Sequence, residues 1–192
     1  MSTRQYYPTD LTEAQWSLLL ALLPARKWQP GGPGRPPYEL RQVRNGIWSL
    51  LKTGCQWRML PREFGKWPTV YGYFKRWRET GVWAKLMEAL RQRERRRQGR
   101  QGEPSAGSVD SQSLKTATQA TEVGFDGGKQ VKGRKRHLLV DTLGLLIGVV
   151  VTAANTADRV GLMVLLTQYF VGGVRRLRKL WVDGGYQAEW LT

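Results

Sequence analysis

Cysteine and histidine are almost missing from this chain: Cys55 and His137 are the only ones among its 192 residues. One cysteine rules out a disulfide framework, and one of each falls short of a Cys/His zinc set, so any bound metal must be held by oxygen. Long apolar runs are also absent. No stretch approaches the roughly 18 consecutive apolar residues that span a bilayer, and Met1 to Pro8 lacks the apolar centre of a signal peptide, so a soluble, cytoplasmic protein is expected. Acids are scarce. The 15 Asp plus Glu stand against 31 Lys plus Arg, a net charge of +16 that favours a polyanionic partner, with nucleic acid ahead of an anionic membrane surface.

What is present suffices for a packed core, since 41% of the residues are apolar. The charge is uneven: residues 1–104 hold 20 basic and 8 acidic side chains, and residues 105–192 hold 11 and 7. The electrostatic footprint lies mainly in the N-terminal half.

That half reads as helical. Thr12 and Gln15 form a capping box for a helix over Thr12 to Leu23, with Leu11, Leu18, Leu19 and Leu22 as its apolar stripe and Pro24 as its stop. Residues 29–37, QPGGPGRPP, are a loop or extended arm carrying Arg35. A second helix is expected from Tyr38 to Leu51 or Lys52, with Val43, Ile47, Trp48, Leu50 and Leu51 inward, Arg41 and Arg44 outward, and Gly54 closing it. Pro61 to Lys66 reads as a turn, followed by helices over Trp67 to Thr80 and Val82 to about Arg97. A tight turn before a helix with exposed Lys75, Arg76 and Arg78, beside Tyr71, Tyr73 and Trp77, suits a helix-turn-helix that enters the major groove. A plain four-helix bundle with a solvated basic face is the competing reading. Arg91 to Arg100, with six arginines and one glutamate, reads as a fraying helix end. The expected division is a helical DNA-binding domain over 1–97, a basic and polar linker over 98–107, and a second domain over 108–192.

The second half changes character. His137 to Val140 and Leu145 to Thr152 form a hairpin around Asp141 to Gly144; a helix follows from Arg159 to about Phe170, capped by Asp158, and a strand over Leu177 to Val182. A mixed sheet covered by helices follows, which makes the chain α+β. Two carboxylates stand out. Asp110 follows Ser108 and Val109 and precedes small polar residues, and Asp183 follows Leu180, Trp181 and Val182 and precedes two glycines. Both are expected at strand termini, where they can be neighbours and share a hard cation such as Mg²⁺, which prefers carboxylate, water and phosphate oxygens. A turn-forming role is the plainer reading of each. Two-ion phosphoryl transfer generally needs a third acid, and only Glu189 lies beyond Asp183. Residues 127–137, GGKQVKGRKRH, read as an exposed glycine loop whose Lys129, Lys132, Arg134, Lys135 and Arg136 hold DNA across the metal site. His137 reads as a strand or phosphate-contact residue.

VDSQSLKT at 109–116, GFDGGKQVKGRKRHLLVDTLGLL at 124–146 and LWVDGGY at 180–186 resemble the central motifs of bacterial insertion-sequence DDE transposases of the insertion-sequence-five group. YYPTDLTEAQW, GRPP, GCQWRMLP and FGKWPTVYGYFKRW, within residues 6–80, resemble the helical DNA-binding region before the catalytic domain of that group. The resemblance implies a ribonuclease H-like catalytic domain, here in part, with an Asp, Asp, Glu triad holding Mg²⁺ or Mn²⁺. Asp110 matches its first acid and Asp183 its second. The third, a glutamate on a later helix, falls after residue 192, and Glu189 does not match its context. It further implies double-stranded DNA partners, both the transposon terminal inverted repeats and target DNA. A homodimer in synapsis, a nucleoid-associated place in the bacterial cytoplasm and no membrane partner complete the picture. Two functions are weighed: a transposase that cleaves and joins strands when complete, and a truncated, inactive DNA-binding protein that occupies transposon ends or inhibits the intact enzyme. A general nucleic-acid coat protein gives no reason for the paired acids.

Overall fold

The computed structural model describes residues 7–24, 38–116, 120–170, 176–183 and 186. The proline-glycine arm with Arg35, the glycines after residue 170 and after Asp183, and Glu189 lie outside them. The chain divides into two compact units, Met1–Ala89 and Leu90–Thr192.

In the first unit, helix α1 spans Glu13–Leu20. The capping box forms as expected: the Gln15 N–H donates to Thr12 Oγ1 at 3.3 Å and the Thr12 N–H to Gln15 Oε1 at 3.0 Å, satisfying two helix-end groups. The helix stops before Leu23, because the N–H groups of Leu22 and Leu23 bond back three residues. Helix α2 (Leu40–Thr53) ends at Gly54, whose left-handed φ of 68° a side chain would resist. Its buried face is rotated from the expected one. Trp48 and Leu51 are exposed, whereas Arg41 and Arg44 point inward with Val43 and Ile47. Buried guanidinium groups need partners. Arg41 has Glu13 and donates to the Leu11 carbonyl at 2.8 Å. Arg44 lies over the rings of Trp77 and Trp83, 5.8 and 5.5 Å from their centroids, and burial lowers its pKa to about 10.

The connection 54–66 is no tight turn. It contains two 3₁₀ turns, Trp57–Met59 and Arg62–Phe64, before α3 (Trp67–Glu79) and α4 (Val82–Arg97). Aromatic rings rather than aliphatic ones bind α3 to its neighbours. Trp57 meets Tyr71 and Phe74, and Trp83 meets Phe74 and Trp77, at centroid distances of 5.1 to 5.9 Å. Trp77, expected beside the exposed cations, is therefore core.

The division between the units falls inside α4. Its arginine-rich end belongs with the second unit, where Arg91 and Arg95 are buried rather than solvated. Arg95 pairs with Asp141 at 2.5 Å and donates to the Gln101 carbonyl at 2.8 Å, while Gln92 bonds Glu103 at 2.8 Å. These bonds tie down the segment 98–107. Asp141 also accepts from the N–H groups of Leu143 and Leu145, which is the hairpin-turn role its sequence context indicated.

The sheet contains β1 (Ala106–Lys115), β2 (Gly124–Asp126), β3 (Val131–Asp141), β4 (Leu146–Ala153) and β5 (Lys179–Val182). β3 pairs antiparallel with β1, β2 and β4, and β5 runs parallel to β1 on its other side. A parallel pair requires a crossover, supplied by α5 (Asp158–Phe170). Leu162 and Leu165 of α5 pack on Val109, Leu139, Ile147 and Val150, with Leu177 and Tyr186 completing the core. Helix and strand meet most closely where Gly161 faces the fully buried His137.

A methyl group added at Gly161 would lie 2.1 Å from His137 Cε1, inside a core with no room to give. Gly161→Ala is expected to lower stability by about 1 to 3 kcal/mol, the usual range for overpacking. Urea denaturation measures this, and an unchanged midpoint would mean that α5 does not press on β3 as described.

Candidate functional site: two acids in register on one sheet face

Asp110 was expected at a strand end and is not there. β1 runs five residues further, to Lys115, because β3 continues to pair with it as far as Lys115 opposite Gly133. The strand that ends is β5. Its pairing with β1 stops at Val182 opposite Val109, so Asp110 is the first β1 residue beyond it and Asp183 the first after β5. Continuing that register by one residue sets the two acids side by side on adjacent parallel strands. Side chains alternate across a sheet, so with Val109 and Val182 packed into the core, Asp110 and Asp183 face the other way and are exposed. Asp110 Oδ1 accepts the N–H of Ser111 at 2.7 Å, which fixes the carboxylate's orientation.

The same alternation sorts the basic run expected to be a loop. Residues 131–141 are strand β3, and the even positions share the acids' face: Leu138 is opposite Asp110, Arg136 opposite Gln112 and Arg134 opposite Leu114. Arg136 donates to Gln112 Oε1 at 2.5 Å and Arg134 to the Thr121 carbonyl, while Lys132 is exposed. A cationic strip therefore leads away from the carboxylate pair. Lys135 is not part of it. It points inward, with its ammonium 3.1 Å from Asp158, 3.5 Å from Asp126 and bonded to the Thr156 carbonyl at 3.0 Å. That pairing takes Asp158 away from the helix-capping role expected of it. Lys129 likewise turns back, donating to the Ser111 carbonyl at 2.8 Å. Neither ammonium is presented to an outside phosphate.

Two residues on this face went unnoticed in the sequence. Lys179 lies over the Trp181 ring at 5.1 Å from its centroid, and both precede Asp183 at alternate positions of β5. Period two was the signal. Tyr186 was also missed as a site residue. It is buried, and burial, together with the charges of Asp158, Asp110 and Asp183, pushes its phenol up to about 12 despite a Ser111 hydroxyl beside it. In the first unit, Lys75, Arg76 and Arg78 are exposed on α3, with Lys75 3.8 Å from Glu79 and Arg76 over Tyr73.

A divalent cation fits the donor set. The pair offers hard carboxylate oxygens in register, beside a buried phenol hydroxyl that has no hydrogen-bond partner. Among the described residues no group of three or more His, Cys, Asp or Glu is placed to hold a metal. No helix among them is long and apolar enough to cross a membrane.

Residues 101–192 match the family model described as "Transposase DDE domain", a class that implies a divalent metal. Residues 11–87 match the model described as "Putative transposase of IS4/5 family". A protein of Burkholderia cepacia, "Insertion element IS402 uncharacterized 16.2 kDa protein", is 35% identical over 112 residues, covering 57% of this chain and 75% of its own length. The chain thus belongs to the insertion-sequence transposases of the IS4/5 family. No solved structure matches it.

His137, once a candidate phosphate contact, is enclosed. Burial lowers its pKa, Nδ1 has no partner and Nε2 lies 3.1 Å from Thr152 Oγ1. A folded-state pKa below the unfolded one means that the unfolded chain takes up the proton first as pH falls. Stability is therefore expected to decline below about pH 6.5, the ordinary histidine value. With a single histidine in the chain, denaturant midpoints between pH 7.5 and 5.5 report on it directly. A flat profile would mean that His137 is not enclosed.

Proposed function

We propose that this chain binds transposon-end DNA and carries the first two acids of a ribonuclease H-like strand-transfer site. The observation that carries the reading is the β1–β5 register, which aligns Asp110 with Asp183. The sheet supports it. Three antiparallel strands, β1, β3 and β4, precede a helix and a strand returning parallel to the first. Asp110 and Asp183 hold Mg²⁺ or Mn²⁺. When bound, the metal polarises the attacking oxygen and stabilises the leaving one. Lys132, Arg134 and Arg136 on the acids' face hold the phosphate backbone of the DNA being cut, and the strand is positioned with no base readout from these contacts.

Lys75, Arg76 and Arg78 on α3 carry the helical unit's affinity for the terminal inverted repeats. Synapsis of two ends calls for a homodimer, working at the nucleoid in the bacterial cytoplasm. A second reading has the chain occupying transposon ends without cutting them. It is favoured by the absence of a third acid beside the pair among the described residues.

Replacing Lys75, Arg76 and Arg78 together by alanine is expected to weaken end binding. It should also flatten the log-affinity versus log-salt slope by about 1 per lost phosphate contact. Fluorescence anisotropy over a salt series measures both, and an unchanged slope would remove α3 from the interface. Mg²⁺-dependent nicking of labelled end DNA separates the two readings. Under the first, Asp110→Asn abolishes nicking and leaves binding intact. Under the second, the unsubstituted chain binds and does not cut. Nicking that survives Asp110→Asn would take Asp110 out of the site.

A further inference from the structure

Tyr186 is buried in the core beside Val109 and Val182, the two residues that immediately precede the acids on β1 and β5. Its backbone N–H donates to the Asp183 carbonyl at 2.9 Å, which closes the turn after β5 and brings the ring beneath the acid pair. The hydroxyl is buried next to Ser111, Asp110, Asp158 and Asp183, yet it makes no hydrogen bond. A buried hydroxyl without a partner costs about 1 to 3 kcal/mol, and a phenylalanine at this position would avoid the cost while keeping the packing. The hydroxyl therefore needs a reason other than the stability of the metal-free fold. Carboxylates that bind metals are commonly oriented by donors behind them.

We propose that Tyr186 is a positioning residue for the acid pair: its hydroxyl lies unpaired in the metal-free protein and donates to the Asp110 or Asp183 carboxylate when a divalent cation draws the two together. This rests on the reading of those acids as metal ligands. The ring's place in the core sets the reach of the hydroxyl, and Lys129, bonded to the Ser111 carbonyl, holds the neighbouring stretch of β1 at the same level. Ser111 precludes no such movement, since its own hydroxyl only borders the phenol.

The experiment compares the full chain with Tyr186→Phe and Asp110→Asn, using Mn²⁺ alone as the probe. Mn²⁺ affinity is followed by water-proton relaxation and thermal stability by circular dichroism, with and without the ion. Expected for Tyr186→Phe are metal-free stability equal to or above that of the unsubstituted chain, Mn²⁺ affinity about tenfold weaker and a smaller rise in Tm on adding Mn²⁺. Asp110→Asn should lose the site. If Tyr186→Phe binds Mn²⁺ as tightly as the unsubstituted chain while Asp110→Asn does not, the positioning role is overturned and the metal site stands. If Tyr186→Phe is strongly destabilised without metal, the hydroxyl serves the fold and the proposal is likewise overturned. If Asp110→Asn leaves Mn²⁺ binding unchanged, the metal-site reading itself fails, and the role of Tyr186 falls with it.

Discussion

The parallel pairing of β5 with β1 is the constraint on which the rest of the second unit depends. Two parallel strands cannot be joined by a short turn, so α5 must cross over the sheet, and it does so by burying Leu162 and Leu165 against Val109, Leu139 and Val150. That burial settles which residues of β1 and β5 face inward. Once Val109 and Val182 are inside, Asp110 and Asp183 are placed opposite them on the far face and at the same level. A slip of one residue in either strand would turn one carboxylate into the core, where an unpaired charge is costly. The hydrophobic core thus fixes the acid pair without touching it.

Charge is handled differently on the two sides of the sheet. On the inner side, ionic groups are admitted only with partners: Lys135 with Asp126 and Asp158, and Arg95 with Asp141. The Ser113 hydroxyl and the Lys129 N–H hold Asp126 down to about 2, so it stays ionised opposite Lys135. Breaking such pairs leaves one charge stranded, so they hold the hairpin, α4 and α5 to particular places more than they add net stability. On the outer side, Lys132, Arg134 and Arg136 have only polar oxygens or solvent as company, which leaves their charge available to a polyanion. A run that is uniformly basic in one dimension becomes two populations in three.

Much of this was legible beforehand, and the misreadings share a cause. The capping box of α1, the close of α2 at Gly54, the limits of α4 and the β3–β4 hairpin follow from local chemistry, and local chemistry is written in neighbouring residues. Arg41, Arg44, Arg91, Arg95 and Lys135 were expected outside because charge usually is. Each is inside because of a partner distant in sequence: Glu13, two tryptophans, Leu146, Asp141 and Asp158. The glycine-rich basic run looked like a loop because Gly133 and five cations obscured an alternation that only pairing with β1 and β4 brings out.

By itself the sequence determined the helical and sheet-forming halves, the two aspartates that matter and the family motifs around them, because these are set by spacing within a few residues of one another. Only the tertiary structure decided that Asp110 and Asp183 stand in register, which cations share their face and where the Tyr186 hydroxyl lies. Those depend on strand pairing between segments some seventy residues apart, and no local preference encodes which of several registers buries the most apolar surface.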